Sequence, residues 1–179
     1  MFEIYPPAED SYLLSRILEK QLPNLIEKNP YLKFLEIGTG SGIHLQTALT
    51  LGIKKENIFS SDINQKSVDY CNLIGFKSIQ SNLFNKIPKN KKFNLIIFNP
   101  PYLPEDKYDK EVDTTGGKFG SEIINKFLKQ ASSYLTDNGK VILLTSSLTK
   151  DINWQSYEKR LLGKKKLFYE ELFVWGITS

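Results

Sequence analysis

The segment Asn99-Pro100-Pro101-Tyr102 combines residue types that can act together on a planar nitrogen. The side-chain carbonyl of Asn99 can accept a hydrogen bond from a substrate N–H, and the backbone carbonyl of Pro100 can accept a second one. Two acceptors on one NH2 group favour a pyramidal nitrogen, and the ring of Tyr102 offers a face to a flat amide or base. The chemistry that this segment predicts is methyl transfer to a nitrogen whose lone pair is delocalised.

The residues before Asn99 predict where this segment lies in the fold. Phe93 to Phe98 is largely apolar and partly β-branched, which is typical of a buried parallel strand. The two prolines cannot donate to a sheet, so the strand is expected to end at Asn99. Open α/β sheets have their active sites at the carboxyl ends of their strands. Taken alone, the segment is equally compatible with an ordinary proline-rich turn.

A glycine motif, Glu36 to Gly42, follows a predicted first strand, Phe34–Ile37, and precedes a predicted helix, Ile43 to about Leu51. A strand, a glycine turn and a helix in this order begin a Rossmann-like nucleotide-binding unit. The dinucleotide fingerprint needs a third glycine where Ile43 stands, and the carboxylate of Glu36 would repel a pyrophosphate. A carboxylate there attracts a cation. The motif therefore favours S-adenosylmethionine, which carries a sulfonium and an ammonium group and no phosphate.

Two further positions complete the predicted cofactor site. A second predicted strand, Asn57–Ser61, leads into Asp62, twenty positions after the last glycine of the motif. Doubly wound folds place a ribose-binding acid there, and a helix N-cap is the alternative for this residue. Asn82 and Leu83 follow a short predicted strand, Phe76–Gln80, where an adenine would lie. The Asn82 side chain and the Leu83 backbone N–H can bond the adenine edge, and an Asx turn is the alternative.

The elements that must position these residues alternate along the chain. A helix opens at Glu9, and Pro23 is expected to break or restart it. This alternation of strands and helices predicts an α/β fold with a mostly parallel sheet. The remaining predicted elements are a helix from Ser121 to about Tyr134, capped by Ser121, a turn at Asp137–Gly139, a strand at Val141–Leu144 and a final, antiparallel strand at Phe168–Ile177, with Ile152–Leu162 left open between helix and strand.

Length and composition narrow the class of protein. The 179 residues are expected to form one domain, residues 1–179, and 40% hydrophobic with 25% charged residues is ordinary for a soluble protein. The sequence contains no apolar run of about 18 residues, the length that would predict a membrane span. Cys71 is the only cysteine, which excludes an internal disulfide and favours a reducing, cytoplasmic setting. With His44 as the only histidine, no zinc site within the chain is expected. The net charge of +4 comes largely from lysine-rich loops, which we interpret as solvated surface rather than as a nucleic-acid site.

These motifs together resemble the HemK-type S-adenosylmethionine-dependent methyltransferases, whose Asn-Pro-Pro-Tyr signature acts on the glutamine of the Gly-Gly-Gln motif in release factors. Residues 5–14, residues 116–122 and residues 165–172 are similar to the short eukaryotic and archaeal branch of that family. Asn82 departs from the aspartate that is usual in the family, although its side-chain oxygen can still accept a hydrogen bond. The resemblance implies a class I fold, a sheet of about seven strands with helices on both faces and an antiparallel C-terminal strand. It implies catalytic roles for Asn99, Pro100 and Tyr102 and cofactor-binding roles for Ser11, Glu36, Gly38, Gly40, Asp62, Asn82, Leu83 and Asn99.

The resemblance also implies partners. The substrate would be a peptide-chain release factor, and a small zinc-binding activator protein would pair with the edge of the sheet at Phe76–Gln80. Residues 103–120 are expected to form a lid that faces the substrate, with disorder as the alternative.

Two other functions stay open. Methylation of the adenine amine in DNA or RNA would use the same four residues, but Glu105, Asp106, Asp109, Glu111 and Asp113 beside the site disfavour a phosphate backbone. A catalytically silent scaffold would not need Glu36, Asp62 and Asn99 together.

Overall fold

The structure is a computed structural model, and it describes residues 4–104 and 116–178. Four α-helices and seven β-strands lie within the described residues. In chain order they are α1 Glu9–Lys28, β1 Phe34–Ile37, α2 Ile43–Thr50, β2 Ile58–Asp62, α3 Gln65–Leu73, β3 Lys77–Gln80, β4 Phe93–Phe98, α4 Glu122–Ala131, β5 Leu135–Ser146, β6 Glu158–Lys166 and β7 Glu171–Thr178, with short 3-10 turns at Lys55–Asn57 and Ser132–Tyr134.

All seven strands belong to one sheet in the order β3-β2-β1-β4-β5-β7-β6. The first five strands of that order are parallel, β7 is antiparallel to β5, and β6 is antiparallel to β7. The predicted fold class, with its antiparallel end and β3 at an edge, is confirmed. The strand order reverses between β1 and β4, and this crevice at the carboxyl ends of the strands is where such sheets bind ligands.

Buried side chains cover both faces of the sheet. On one face, α1 and α2 pack residues such as Leu14, Leu18 and Leu45 against the strands. On the other face, α4 contributes Phe127 and Leu128, both almost completely buried. The central strands β1 and β4 are covered on both sides, which explains why their sequences are nearly continuous apolar runs.

Pro23 does not interrupt the first helix, so that prediction was wrong. The residue lies inside α1, which continues to Lys28. Proline removes one backbone hydrogen bond, but side chains on both sides of it pack on the core. Leu22 is fully buried, and Leu25 and Ile26 are partly buried against the same cluster. Packing therefore holds the two halves of the helix together across the missing bond.

The alternative interpretation of Asp62 as an N-cap is wrong, whereas Ser121 occupies its predicted N-cap position without making a capping bond. The N-cap of α3 is Asn64, whose side chain accepts a hydrogen bond from the backbone N–H of Lys66. Asp62 lies at the end of β2 instead. Ser121 precedes α4 but makes no capping bond, because its hydroxyl donates to the carbonyl of Asp151.

The predicted turn at Asp137–Gly139 lies inside the longer strand β5. The register of β5 against β4 shifts between Phe93 and Leu95, and the extra residues of β5 are accommodated there. A side chain at Gly139 would come within 2.9 Å of the Phe93 carbonyl, so the close approach requires glycine.

The chain end forms a hairpin. The segment Ile152–Leu162, left open above, contains no helix and enters strand β6 at Glu158. The final strand begins at Glu171 rather than at Phe168, because residues 167–170 form the turn of the hairpin. Most of the predicted lid, residues 105–115, lies outside the described residues.

Candidate active site

A cavity of about 210 Å³ opens at the carboxyl edge of the sheet, over the ends of β1, β2 and β4. The structure brings nine of the ten predicted site residues into its wall, and only Glu36 is absent from it. Those nine are Ser11, Gly38, Gly40, Asp62, Asn82, Leu83, Asn99, Pro100 and Tyr102.

The glycine loop after β1 follows a path that other residues rarely adopt. Gly38 and Gly40 have φ angles of +70° and +48°. A side chain at Gly38 would also lie 3.3 Å from the ring of Phe98. The backbone N–H groups of Gly38 and Thr39 donate to the carbonyl of Ser61, at 2.7 and 3.2 Å. The loop is therefore fixed to β2, and at Gly38 it packs too closely on the Phe98 ring for a side chain to fit without a shift.

Asp62 links this loop to the second strand. One carboxylate oxygen accepts from the N–H of Gly40 at 2.8 Å, and the other accepts from the N–H of Asn64 at 2.8 Å. The residue is buried, with 8% of its surface exposed. These bonds hold a carboxylate at the cavity wall beside the glycine loop. The ribose-binding role of Asp62 stays a prediction.

Leu83 has a strained backbone in the wall of the cavity. Its φ angle is +50°, a region that side chains other than glycine rarely adopt. Asn82, next to it, is exposed, and its backbone carbonyl accepts from the N–H of Asn85 at 3.2 Å. Strain of this kind clusters at ligand sites. The adenine-binding roles of Asn82 and Leu83 also stay predictions.

Within the described residues, only the NH2 group of the Asn99 carboxamide has a hydrogen-bond partner. Its Nδ2 group donates to Oδ2 of Asp10 at 3.0 Å. Its Oδ1 atom is buried and has no hydrogen-bond partner among residues 4–104 and 116–178. The contact with the carboxylate fixes which atom of the amide is the donor. A buried acceptor without a partner costs about 1–3 kcal/mol, so this oxygen is available to a donor that lies beyond the described residues.

Asp10 is a site residue that sequence reasoning missed. It lies 89 positions from Asn99 in sequence. Its Oδ1 atom accepts from the backbone N–H of Ser11 at 2.6 Å, and its Oδ2 atom also accepts from the hydroxyl of Tyr5 at 3.3 Å. Burial and then this carboxylate raise the pKa of Tyr5 well above its ordinary value. The start of α1 therefore orients the carboxamide of Asn99.

Glu36 lies behind the cavity wall and not in it, and its cofactor-binding role stays a prediction. Glu36 is completely buried beneath the cavity wall. Its carboxylate contacts Nδ1 of His44 at 2.6 Å and accepts from the hydroxyl of Thr39 at 3.3 Å. The side chain of Glu36 therefore contacts the cavity wall indirectly, through His44. His44 lies between Glu36 and the helix α1.

His44 is the second residue that sequence reasoning missed. Its Nε2 atom lies 3.0 Å from the carbonyl of Ser11, and its Nδ1 atom faces Glu36. Both ring nitrogens therefore face acceptors, an arrangement that keeps a proton on the pair formed by His44 and Glu36. Burial raises the pKa of Glu36, and Glu36 raises that of His44 against the opposite effect of burial. The pair joins α1 to the first turn of α2, beside the glycine loop.

Tyr102 lies at the mouth of the cavity and is half-buried. Burial, and then the charges of Asp10 and Glu170, raise the pKa of its hydroxyl far above the ordinary value, so the phenol stays protonated. Its backbone carbonyl accepts from the hydroxyl of Thr149 at 2.9 Å.

Within the described residues, no group of three or more metal-ligating side chains is present. No helix in residues 4–104 or 116–178 has the length and apolar character needed to cross a membrane.

Comparison with known proteins assigns the family. A Methanocaldococcus jannaschii protein, named as a protein N5-glutamine methyltransferase, is 34% identical over 96% of this chain and 90% of its own length. This chain belongs to the HemK-type family of S-adenosylmethionine-dependent methyltransferases. Another member, a release factor glutamine methyltransferase from Rhodopirellula baltica, is 27% identical over 84% of the chain. The chain spans only 56% of that relative's length.

Two further comparisons describe the HemK-type chain. The family model of the Eco57I restriction-modification methylase matches residues 46–169. Among solved structures, the E. cuniculi Mtq2–Trm112 complex, described as methylating the eRF1 translation termination factor, superposes with a TM-score of 0.72. That match has 21% identity and covers 97% of this chain and 96% of the other. At this identity the match supports the class I methyltransferase fold.

Proposed function

We propose that this chain transfers a methyl group from S-adenosylmethionine to the side-chain amide nitrogen of a glutamine, the one in the Gly-Gly-Gln motif of a peptide-chain release factor. The unpartnered Oδ1 atom of Asn99 carries this proposal. It is a buried acceptor at the end of β4, and a primary amide is a donor that satisfies it. The names of two relatives, from Methanocaldococcus jannaschii and Rhodopirellula baltica, support glutamine as the target.

The cavity fits the proposed cofactor. The glycine loop leaves room for a ligand at Gly40, which lines the cavity and where an added Cβ would meet only atoms of Tyr5, at 3.8 and 3.9 Å. Asp62 offers a carboxylate for ribose hydroxyls, and Asn82 with Leu83 offers polar groups for an adenine. When bound, S-adenosylmethionine supplies an activated methyl group on a positively charged sulfur. Ser11 and Glu36 act on this site through His44, which contacts both of them.

The residues around Asn99 prepare the substrate nitrogen. Asp10 holds the Nδ2 end of the carboxamide, so the Oδ1 end is left to accept a hydrogen from the substrate NH2 group. The carbonyl of Pro100 accepts the other hydrogen, and its rigid ring limits the movement of that carbonyl. Two acceptors draw the nitrogen away from planarity and direct its lone pair towards the methyl group. The lone pair of the nitrogen would form the new N–C bond while the bond from the methyl carbon to the cofactor's sulfur breaks and leaves its electron pair on the sulfur, and the surplus proton on the nitrogen would pass to solvent.

Tyr102 contributes its ring rather than its hydroxyl. The phenol is held protonated by its surroundings, so it does not remove a proton near neutral pH. Its ring lies beside Asn99 at the cavity mouth and can stack on a flat amide. The asparagine therefore positions the nitrogen, and the tyrosine limits the orientation of the amide plane.

An activator protein is proposed at the edge strand β3. This strand has β2 on one side only, so its other side offers backbone groups to an added strand. Exposed apolar side chains accompany it, with Leu73 at 83% and Ile79 at 40% exposure. The Mtq2 protein was solved as a complex with Trm112. We propose a small zinc-binding protein as the partner, with both proteins in the cytoplasm.

Adenine-N6 methylation is the second candidate, because the matching family model is that of a restriction-modification methylase. The orphaned acceptor of Asn99 would suit the adenine amine equally well. One experiment separates the two candidates: incubation with labelled S-adenosylmethionine and either a release factor or DNA. The proposal expects label on the glutamine of the release factor, whereas label only on adenine would replace it with the second candidate.

A further inference from the structure

The turn between β6 and β7 carries two aromatic side chains that no core contact explains. Phe168 and Tyr169 are 90% and 85% exposed, and their ring centroids lie 4.7 Å apart with the rings edge to face. Large apolar side chains in water mark surfaces that contact another molecule. Two such rings side by side are typical of the anchors of a protein interface.

This turn lies at the same edge of the sheet as the cavity. Ser146, at the carboxyl end of β5, pairs with Leu172 near the start of the antiparallel strand β7. The N–H of Ser147 donates to the carbonyl of Glu171 at 2.8 Å. The hydroxyl of Ser146 donates to the carboxylate of Glu170, which also acts on the pKa of Tyr102 at the cavity mouth. The hairpin turn is therefore fixed beside the mouth.

The segment after β5 connects the turn to the catalytic residues. The hydroxyl of Thr149 donates to the carbonyl of Tyr102, and the N–H of Lys150 donates to the carbonyl of Phe119 at 3.0 Å. Two more apolar side chains are exposed on these connected segments, Leu148 at 39% and Phe119 at 42%. Apolar surface thus continues along one side of the cavity mouth.

We propose that these four side chains form a docking surface for the protein substrate, and we name it the apolar rim: Phe119, Leu148, Phe168 and Tyr169. This proposal rests on the proposed function. Its occupant is a protein surface that presents apolar side chains next to the target amide.

The charges around the turn favour a protein over a nucleic acid. A phosphate backbone is bound by rows of available cations. Of the three lysines that precede the turn, Lys164 lies 2.9 Å from Glu171 and Lys165 pairs with Glu9, while Lys166 is exposed. Most of this positive charge is therefore neutralised within the chain. Exposed Lys118, Lys150 and Lys166 lie as single cations around the apolar rim, which differs from the row of cations that a phosphate backbone binds.

The test compares wild type with the double variant Phe168→Ala/Tyr169→Ala. Tyr31→Ala is the matched control, because Tyr31 is also an exposed aromatic residue, at 70%. It precedes β1 and so lies at the amino ends of the strands, away from the cavity at their carboxyl ends. For each protein, methyl transfer gives kcat and KM for the release factor, and calorimetry gives the affinities for the release factor and for S-adenosylmethionine. The thermal melting temperature checks the fold.

The double variant is expected to raise both KM and Kd for the release factor by about tenfold or more, the scale of losing an aromatic interface anchor. The kcat and the cofactor affinity of the double variant stay within twofold of wild type, and its melting temperature stays within a few degrees. All values for Tyr31→Ala stay within the same limits. Unchanged KM and Kd overturn the proposal, and so does a loss confined to kcat. The proposal is also overturned if the double variant loses binding to DNA, or loses self-association, while its affinity for the release factor stays intact. A wild type that binds the release factor through the rim but methylates DNA instead contradicts the proposed function and leaves the rim standing.

Discussion

Replacing Asp10 by alanine tests whether Asn99 is held in one orientation by a neighbouring carboxylate. The Oδ2 atom of Asp10 accepts from Nδ2 of Asn99 at 3.0 Å, and Asp10 is only 4% exposed. Without it, the carboxamide can rotate and present its NH2 end to the substrate. A hydrogen bond to a charged group contributes about 1.5–3 kcal/mol. If that contribution is lost in the transition state, the rate of methyl transfer falls by about 10- to 150-fold.

The assay is single-turnover methylation of the release factor at saturating S-adenosylmethionine. Tyr5→Phe is the matched control, since it removes the longer contact to the same carboxylate oxygen, at 3.3 Å, and leaves Asn99 held. Its rate is expected to stay within about threefold of wild type, the scale of a weak hydrogen bond. A folded Asp10→Ala variant with a rate within twofold of wild type would refute the positioning of Asn99 by Asp10.

Four other substitutions, at three positions, test the cofactor side of the cavity and the buried pair of His44 and Glu36. Asp62→Ala should weaken S-adenosylmethionine binding by about 1–3 kcal/mol in calorimetry, because ribose hydroxyls would lose their acceptor, and unchanged affinity would remove Asp62 from the site. Asn82→Asp should keep or improve this affinity and Asn82→Leu should lower it, whereas equal affinities would mean that the side chain faces away from the adenine. The raised pKa values of His44 and Glu36 mean that the folded chain binds the extra proton. The stability that this proton provides is present below the ordinary histidine pKa of about 6.5 and is lost as the pH rises through the raised folded value. The free energy of unfolding should therefore fall by about 1.4 kcal/mol per pH unit in that range. Glu36→Gln should remove this slope, because it removes the carboxylate that raises the pKa of His44 and leaves only the burial that lowers it; equal slopes in urea unfolding would contradict the role of the pair.

Much of the fold followed from local sequence signals. The run Phe93–Phe98 with its terminal prolines and the run Phe34–Ile37 with its glycine loop were located as strands at their observed bounds. Each signal lies within a few residues of the element that it specifies. Asn99 and Asp62 could be placed at one edge of the sheet because both end parallel strands.

The missed features depend on contacts between distant parts of the chain. Asp10 reaches Asn99 across 89 positions, and no local pattern in the first helix indicates that contact. His44 occupies an ordinary place in the first turn of α2, and its role arises only where α1 passes over Glu36. The same holds for Pro23, which packing in α1 tolerates although its local effect on the backbone is unfavourable. A composition or periodicity argument has no access to such contacts.

The measurement that tests the central claim most directly is the single-turnover rate of Asn99→Ala on a release factor, with cofactor affinity measured separately. Removing the unpartnered Oδ1 acceptor takes away a group that acts on the substrate nitrogen in the transition state. The rate of methyl transfer should fall by at least about 10²-fold, the usual scale for losing one positioned group of this kind. The affinity for S-adenosylmethionine should change far less. A near-normal rate in the folded variant would contradict the assignment of Asn99, and with it the proposed transfer to glutamine.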